Sequence, residues 1–311
     1  MNIRKISTIA LSNRDFSSLE EKLLEAVSWL EIAAAEGAEL TVLPELLNRY
    51  CGDGYGNPRA IPFERLIMDD WQTECRPLLQ AVKHLKLWTT VPVLHRSDGK
   101  IFNSFFLIAP DGEPVWRYDK ICPTPNEIKN GLTPGQPSTY NWNKLTLGGA
   151  ICFDTCFPEK LEQQARDGVQ LFLVPSLWPG GSQLNHLCKI RSTRVALAYP
   201  AWSRIIDIDG LDIVAGGYRH ETLRFGFGAP VYTASLNFDR VALYGNHNQE
   251  QMIALRQKYG SKIQLEYDQG NCLWFLDSCD PDLHEKALLD EFDLQPASEY
   301  FNQIASASIA S

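Results

Sequence analysis

The chain has 311 residues, 44% apolar and 22% charged, a globular composition able to bury a large core. Its net charge of −9 and a pI near 5.2 argue against nucleic acid or an anionic membrane as the main partner, since both demand a basic surface. No apolar run approaches the ~18 residues needed to span a bilayer, so no membrane span is expected.

Residues 3–12 alternate like a strand. Ser7 breaks the apolar stretch there, so the segment reads as a first strand and not as a secretory leader. Ser17, Ser18, Glu20 and Glu21 carry capping-box signals, and Leu19, Leu23, Val27, Leu30 and Ala34 follow at helical spacing as far as Gly37. Residues 40–43 form a short apolar strand ending in Pro44-Glu45. The chain therefore opens β-α-β, which favours a parallel pair with a crossover helix. Residues 48–62 are rich in glycine and proline, with Tyr50 and Tyr55 among them, and read as a functional loop. A helix is predicted over 70–85. A meander follows over 87–95, 101–109 and 114–118, with turns at Asp98-Gly99 and Asp111-Gly112.

The proline- and glycine-rich stretch 122–137 reads as a loop, 145–152 as a buried strand, 158–167 as a helix opened by Pro158, and 169–174 as a strand. A helix is predicted over 182–197 with Ser182 as its N-cap. Strands are predicted at 202–208, 213–215, 230–236, 263–267 and 272–276, with a helical insertion at 248–259 and a helix at 283–292. The closing Ser-Ala-Ser-Ile-Ala-Ser is expected to fray. No linker divides the pattern, so residues 1–281 are expected to form one mixed α/β domain with helices on both faces. Residues 282–311 are expected to be a C-terminal extension.

Eight cysteines at 51, 75, 122, 152, 156, 188, 272 and 279 include no CxxC pair. That spacing suits reduced thiols in a cytoplasm better than disulfides or a zinc site. The histidines form no HExxH or HxH group, and neither GxGxxG nor GxxxxGK[ST] occurs. No metal or cofactor is expected.

Three strand ends carry reactive side chains: Glu45, Lys120 and Cys152. Singly they have ordinary readings, a solvated carboxylate, a surface ammonium and a small buried hydrophobe. Together they make a complete chemical set. A thiol needs deprotonation to attack, a shielded carboxylate can take that proton and return it to a leaving amine, and a fixed ammonium stabilises the oxyanion. No histidine is required.

The stretches 41–46 (Thr-Val-Leu-Pro-Glu-Leu), 118–120 (Tyr-Asp-Lys) and 148–159 (Gly-Gly-Ala-Ile-Cys-Phe-Asp-Thr-Cys-Phe-Pro-Glu) resemble the nitrilase superfamily of carbon–nitrogen hydrolases, over about residues 3–235. The resemblance implies an αββα sandwich that becomes αββααββα in a homodimer or larger homo-oligomer. It assigns Glu45 as base, Lys120 as oxyanion donor and Cys152 as nucleophile. It adds the Phe153 backbone N–H as a second oxyanion donor, Glu127 as a substrate-positioning carboxylate and Trp178 as a pocket wall. Tyr50 and Tyr55 point to further aromatic walls. The partner expected is a small-molecule amide, carbamoyl or nitrile compound, with no nucleic acid and no membrane, in the cytoplasm.

The chain departs from the family in several places. Cys156 stands where an arginine is common, and Arg194-Val195 where Glu-Asn is usual. Ser203 replaces an asparagine, Gly226-Phe227-Gly228 replaces Gly-x-Ser, and residues 237–262 look inserted. The missing arginine favours a neutral or cationic substrate, or a carboxylate held elsewhere. Cys152-Phe153-Asp154 has the Cys-x-Asp form common in amide-cleaving members, so amide or carbamoyl hydrolysis is favoured over nitrile hydrolysis. Two other classes remain: a Cys/His hydrolase using His186 or His220, and a binding protein built on an enzyme scaffold.

Overall fold

The computed structural model describes residues 2–11, 15–51, 61–217 and 230–309. The first half runs β1 (Ile3–Ile9), α1 (Leu19–Ala35), β2 (Leu40–Val42), α2 (Phe63–Leu66), α3 (Trp71–Glu74), α4 (Arg76–Leu85), β3 (Trp88–Ser97), β4 (Lys100–Ile108), β5 (Pro114–Asp119) and α5 (Pro125–Lys129). Then come β6 (Thr139–Trp142), β7 (Leu145–Gly149), a 3₁₀ turn (Cys152–Cys156), α6 (Pro158–Arg166), β8 (Leu171–Pro175), α7 (Gln183–Arg191), β9 (Arg194–Ala198), β10 (Ser203–Ile206), β11 (Asp212–Gly216) and β12 (Val231–Asn237).

These strands make two six-stranded sheets, ordered β12-β1-β2-β3-β4-β5 and β11-β10-β9-β8-β7-β6. Both have three parallel central strands with antiparallel strands on either side. The sheets pack face to face through Ile6, Val42, Phe105, Leu107, Tyr118, Leu147, Leu173 and Ala196. Helices cover the outer faces. Leu23, Leu30, Leu78 and Val82 of α1 and α4 pack on the first sheet, and Leu161, Leu184 and Leu187 of α6 and α7 on the second. The fold is the expected αββα sandwich.

The predicted helix over 182–197 is corrected. It ends at Arg191, where Ser192 turns left-handed at φ 51°, and residues 194–198 form the central strand β9. Every residue of β9 is buried and pairs with β8 and β10, and that burial outweighs the helical preference of Ala and Leu. The helix over 70–85 is two helices. Pro77 has no N–H for the preceding turn, so α4 starts afresh at Arg76. The stretch 122–137 contains α5, and strands β6 and β12's successor at 241–244 were not predicted.

That successor, β13 (Val241–Tyr244), leads to α8 (Gly245–Tyr259), β14 (Ile263–Asp268), β15 (Leu273–Ser278), α9 (Glu285–Phe292) and α10 (Ala297–Ile309). The strands form a third sheet, β13-β15-β14, with a core of Leu243, Met252, Leu255, Ile263, Leu276 and Leu288. The stretch expected to fray is helical as far as Ile309. Tyr300 and Phe301 of α10 pack on Tyr244, with ring centroids 5.1 and 5.3 Å away, and this anchors the helix.

Candidate active site

Glu45 follows β2, Lys120 follows β5, and Cys152 opens the 3₁₀ turn after β7. The side chains of Glu45 and Lys120 are only 3% and 2% exposed. Lys120 Nζ lies 2.9 Å from Glu45 Oε1 and 3.0 Å from the Glu127 carboxylate. The Glu45 carboxylate and the Leu177 N–H both act on the Cys152 thiol, and the Leu177 N–H donates to Glu45 Oε2 at 3.0 Å. The fold thus brings the three strand-end side chains and Glu127 to one place between the sheets.

Burial, then the Glu45 charge, pushes the Cys152 thiol far above its ordinary value, against the pull of Lys120. Both effects favour the protonated sulfur. Burial works against charge on Lys120, but Glu45 and Glu127 outweigh it and hold the ammonium above its usual range. Glu127 is opposed by burial too, yet Lys120, the Thr124 N–H and Asn103 bring its carboxyl below the ordinary value of 4.5. Glu127 lies on α5 and closes a capping box with Thr124, whose N–H gives Glu127 Oε2 a 2.7 Å hydrogen bond.

Cys152 has φ 46°, a left-handed conformation costing a non-glycine residue on the order of 1 kcal/mol. The turn is pinned on both sides. Thr155 Oγ1 donates to Cys152 O at 2.7 Å, and Asp154 Oδ2 accepts the Ile151 N–H at 2.9 Å. Asp154 also accepts the Cys122 N–H at 2.6 Å and the Tyr118 hydroxyl at 3.2 Å, tying the cysteine turn to the segment just after Lys120. Burial holds the Asp154 carboxyl above its ordinary value despite the N–H groups of Ile151, Cys122 and Ile121.

Sequence reading missed Asn103 of β4. Its Nδ2 donates to Glu45 Oε1 at 2.8 Å and to Glu127 Oε1 at 2.9 Å. The available signal was a polar residue on a strand whose same-face neighbour Phe105 is core. The other expected residues stand nearby in the chain but with less said of them by their contacts. Phe153 is half-buried and meets Phe157 edge-on at 5.3 Å. Trp178 is 44% exposed, its backbone folded onto Ser176 Oγ. Tyr50 is half-buried and its carbonyl accepts the Phe16 N–H. Tyr55, His220 and the Gly226-Phe227-Gly228 element lie outside the described residues.

The departures from the family have their own partners. Arg194 is buried and pairs with Asp207 at 2.9 Å, donates to Asn237 O and lies over the Phe238 ring. Asp207 is shared with Arg240, which also pairs with Asp209, Glu266 and Asp277. Ser203 Oγ accepts the Tyr199 N–H and donates to Tyr199 O, closing the β9–β10 turn.

The sequence profile described as carbon-nitrogen hydrolase matches residues 6–222, which takes in both sheets up to β11. The chain belongs to the carbon-nitrogen hydrolase family. Within that family it is similar to a Schizosaccharomyces pombe protein described as a hydrolase, 30% identical over 187 residues, 55% of this chain and 54% of the relative. It is also similar to human omega-amidase NIT2, 28% identical over 180 residues, 54% of this chain and 62% of the relative. The matched stretch therefore spans little more than half of these relatives. Among solved structures, a substituted amidase from Nesterenkonia sp. AN1, with the acetamide moiety of fluoroacetamide added covalently at its active site cysteine, superposes with a TM-score of 0.60. It is 17% identical, and the match covers 82% of this chain and 97% of that one. This likeness shows a shared carbon-nitrogen hydrolase fold.

Proposed function

We propose that the chain is a thiol hydrolase that cleaves the non-peptide carbon–nitrogen bond of a small amide or carbamoyl compound through a thioester on Cys152. The observation that carries this reading is the Lys120 ammonium held 2.9 Å from a buried carboxylate, Glu45, whose charge acts on the Cys152 thiol.

Because the thiol rests neutral, its proton passes to Glu45 as the sulfur–carbon bond forms. The substrate oxygen takes up the negative charge, and Lys120 with the Phe153 N–H stabilises it. Glu45 then returns the proton to the nitrogen, the carbon–nitrogen bond breaks, and ammonia or an amine leaves. Water attacks the thioester, giving a proton to Glu45. The carbon–sulfur bond breaks and the sulfur recovers the proton, leaving a carboxylic acid from an amide, or from a carbamoyl compound a carbamic acid that falls apart to carbon dioxide and an amine or ammonia. The amidase names of NIT2 and the Nesterenkonia protein, and the cysteine adduct of the latter, support this reading.

The test is a panel of small amides, carbamoyl compounds and nitriles, read by released ammonia and by intact-mass search for an acyl adduct on Cys152. Turnover of amide or carbamoyl members, abolished by Cys152→Ala, is the expected result. Turnover of nitriles alone reassigns the reaction to nitrile hydrolysis. No turnover and no adduct across the panel would overturn the hydrolase reading in favour of a binding protein.

A further inference from the structure

Asn103 stands within β4, where successive residues face opposite ways. Phe105 lies in the core between the sheets, while Phe102 and Ser104 contact His95 on the outer face. The Asn103 side chain, 1% exposed, shares the inner face with the reacting groups. Its amide nitrogen has two hydrogens, one given to Glu45 Oε1 and the other to Glu127 Oε1. Those same two oxygens receive Lys120 Nζ. Glu45, Lys120, Glu127 and Asn103 therefore close a ring of two donors and two acceptors.

Ionised carboxylates only accept, so the Asn103 amide has one permissible orientation, and its Oδ1 is left buried without a partner among the described residues. That arrangement is costly for an asparagine whose only task is packing. It makes sense where the two nitrogen contacts are needed. Two carboxylates on one ammonium leave the group with a net negative charge, and like charges this close favour uptake of a shared proton. A neutral donor to both oxygens opposes that uptake.

We propose that Asn103 is a positioning residue that keeps Glu45 and Glu127 together as an ionised pair, with Glu45 free to receive the Cys152 proton. The proposal rests on the hydrolase reading of the same site. The charged and titratable groups facing the pair are Lys120 after β5 and Cys152 after β7, with Asp154 behind Lys120. The Leu177 N–H after β8 completes the surroundings of Glu45.

The test needs no knowledge of the substrate. Alkylation of Cys152 by iodoacetamide is followed against pH by mass spectrometry of the Cys152 peptide, in the wild type, Asn103→Leu, Asn103→Ser and Glu45→Gln. The wild-type rate is expected to fall on the acid side, and Glu45→Gln to remove that limb. Loss of both donors in Asn103→Leu moves the limb to higher pH by about one unit, roughly a tenfold slower reaction on its slope. Asn103→Ser, with one donor, falls between, and it serves alone if the leucine variant does not fold. A limb that Glu45→Gln removes but that stays in place in the folded Asn103 variants overturns the positioning role only. A profile unchanged by Glu45→Gln overturns the hydrolase reading beneath it.

Discussion

A Cβ built on Gly149 would stand 2.4 Å from Cδ2 of Tyr118, so the phenol ring lies directly against the glycine backbone. Gly149 ends β7 three residues before Cys152, and Tyr118 precedes Lys120 by two. The contact sets the distance between the strands that deliver sulfur and ammonium. Gly149→Ala is expected to push the ring aside, costing about 1–3 kcal/mol of stability by overpacking. Urea denaturation measures the loss, and alkylation of Cys152 should slow in the same variant as the strands part.

Asp154 gives a second link between the same two segments. In Asp154→Asn one oxygen remains an acceptor, while the new NH₂ group meets a backbone N–H of Ile151 or Cys122. An unmet buried group costs about 1–3 kcal/mol. The variant should therefore unfold at lower urea and show reduced kcat on whichever substrate the panel identifies. Unchanged values in both measurements would remove Asp154 from this role.

On the outer face of the first sheet, His95 Nε2 and Ser104 Oγ lie 2.9 Å apart, and Ser104 Oγ donates to Asp119. Burial first, then Arg117, brings the His95 imidazole down from 6.5 to about 4, against Asp119. A depressed histidine binds its proton more readily when unfolded. Its contribution to stability is thus complete above pH 6.5 and is lost as pH falls toward about 4. Urea midpoints across that window should fall with pH in the wild type, and His95→Gln should flatten the slope.

Arg194 pairs with Asp207 inside the protein. Arg194→Met leaves that carboxylate short of one of its two cations, and breaking a buried pair from one side costs about 3–5 kcal/mol. Arg194→Glu should be worse, since it sets two carboxylates together. Urea midpoints that stay in place for both variants would show that Arg240 alone satisfies Asp207.

The three strand-end side chains of the candidate site could be picked out from the chain because each sits where an apolar strand stops, and that boundary is a local property of the sequence around Glu45, Lys120 and Cys152. Asn103 could not be read this way. It stands within β4, and its importance comes from Glu45 and Glu127, which lie 58 and 24 residues away in the chain. The strand β9 was hidden for a similar reason: Arg194-Val195-Ala196-Leu197-Ala198 suits a helix until β8 and β10 enclose it on both sides. The helical end of the chain depends on Tyr300 and Phe301 finding Tyr244, a pairing that no local pattern announces.

The Arg194–Asp207–Arg240 chain of charges also bears on recombination between family members. It joins the second sheet to the strands of the third through Asp277 and Glu266. A hybrid that takes residues up to β10 from a relative without an arginine at this position and the remainder from this protein would leave Asp207 short of one cation, while the reverse hybrid would strand Arg194 wherever the relative lacks that aspartate. Segments exchanged across this boundary have to carry all three residues as a block.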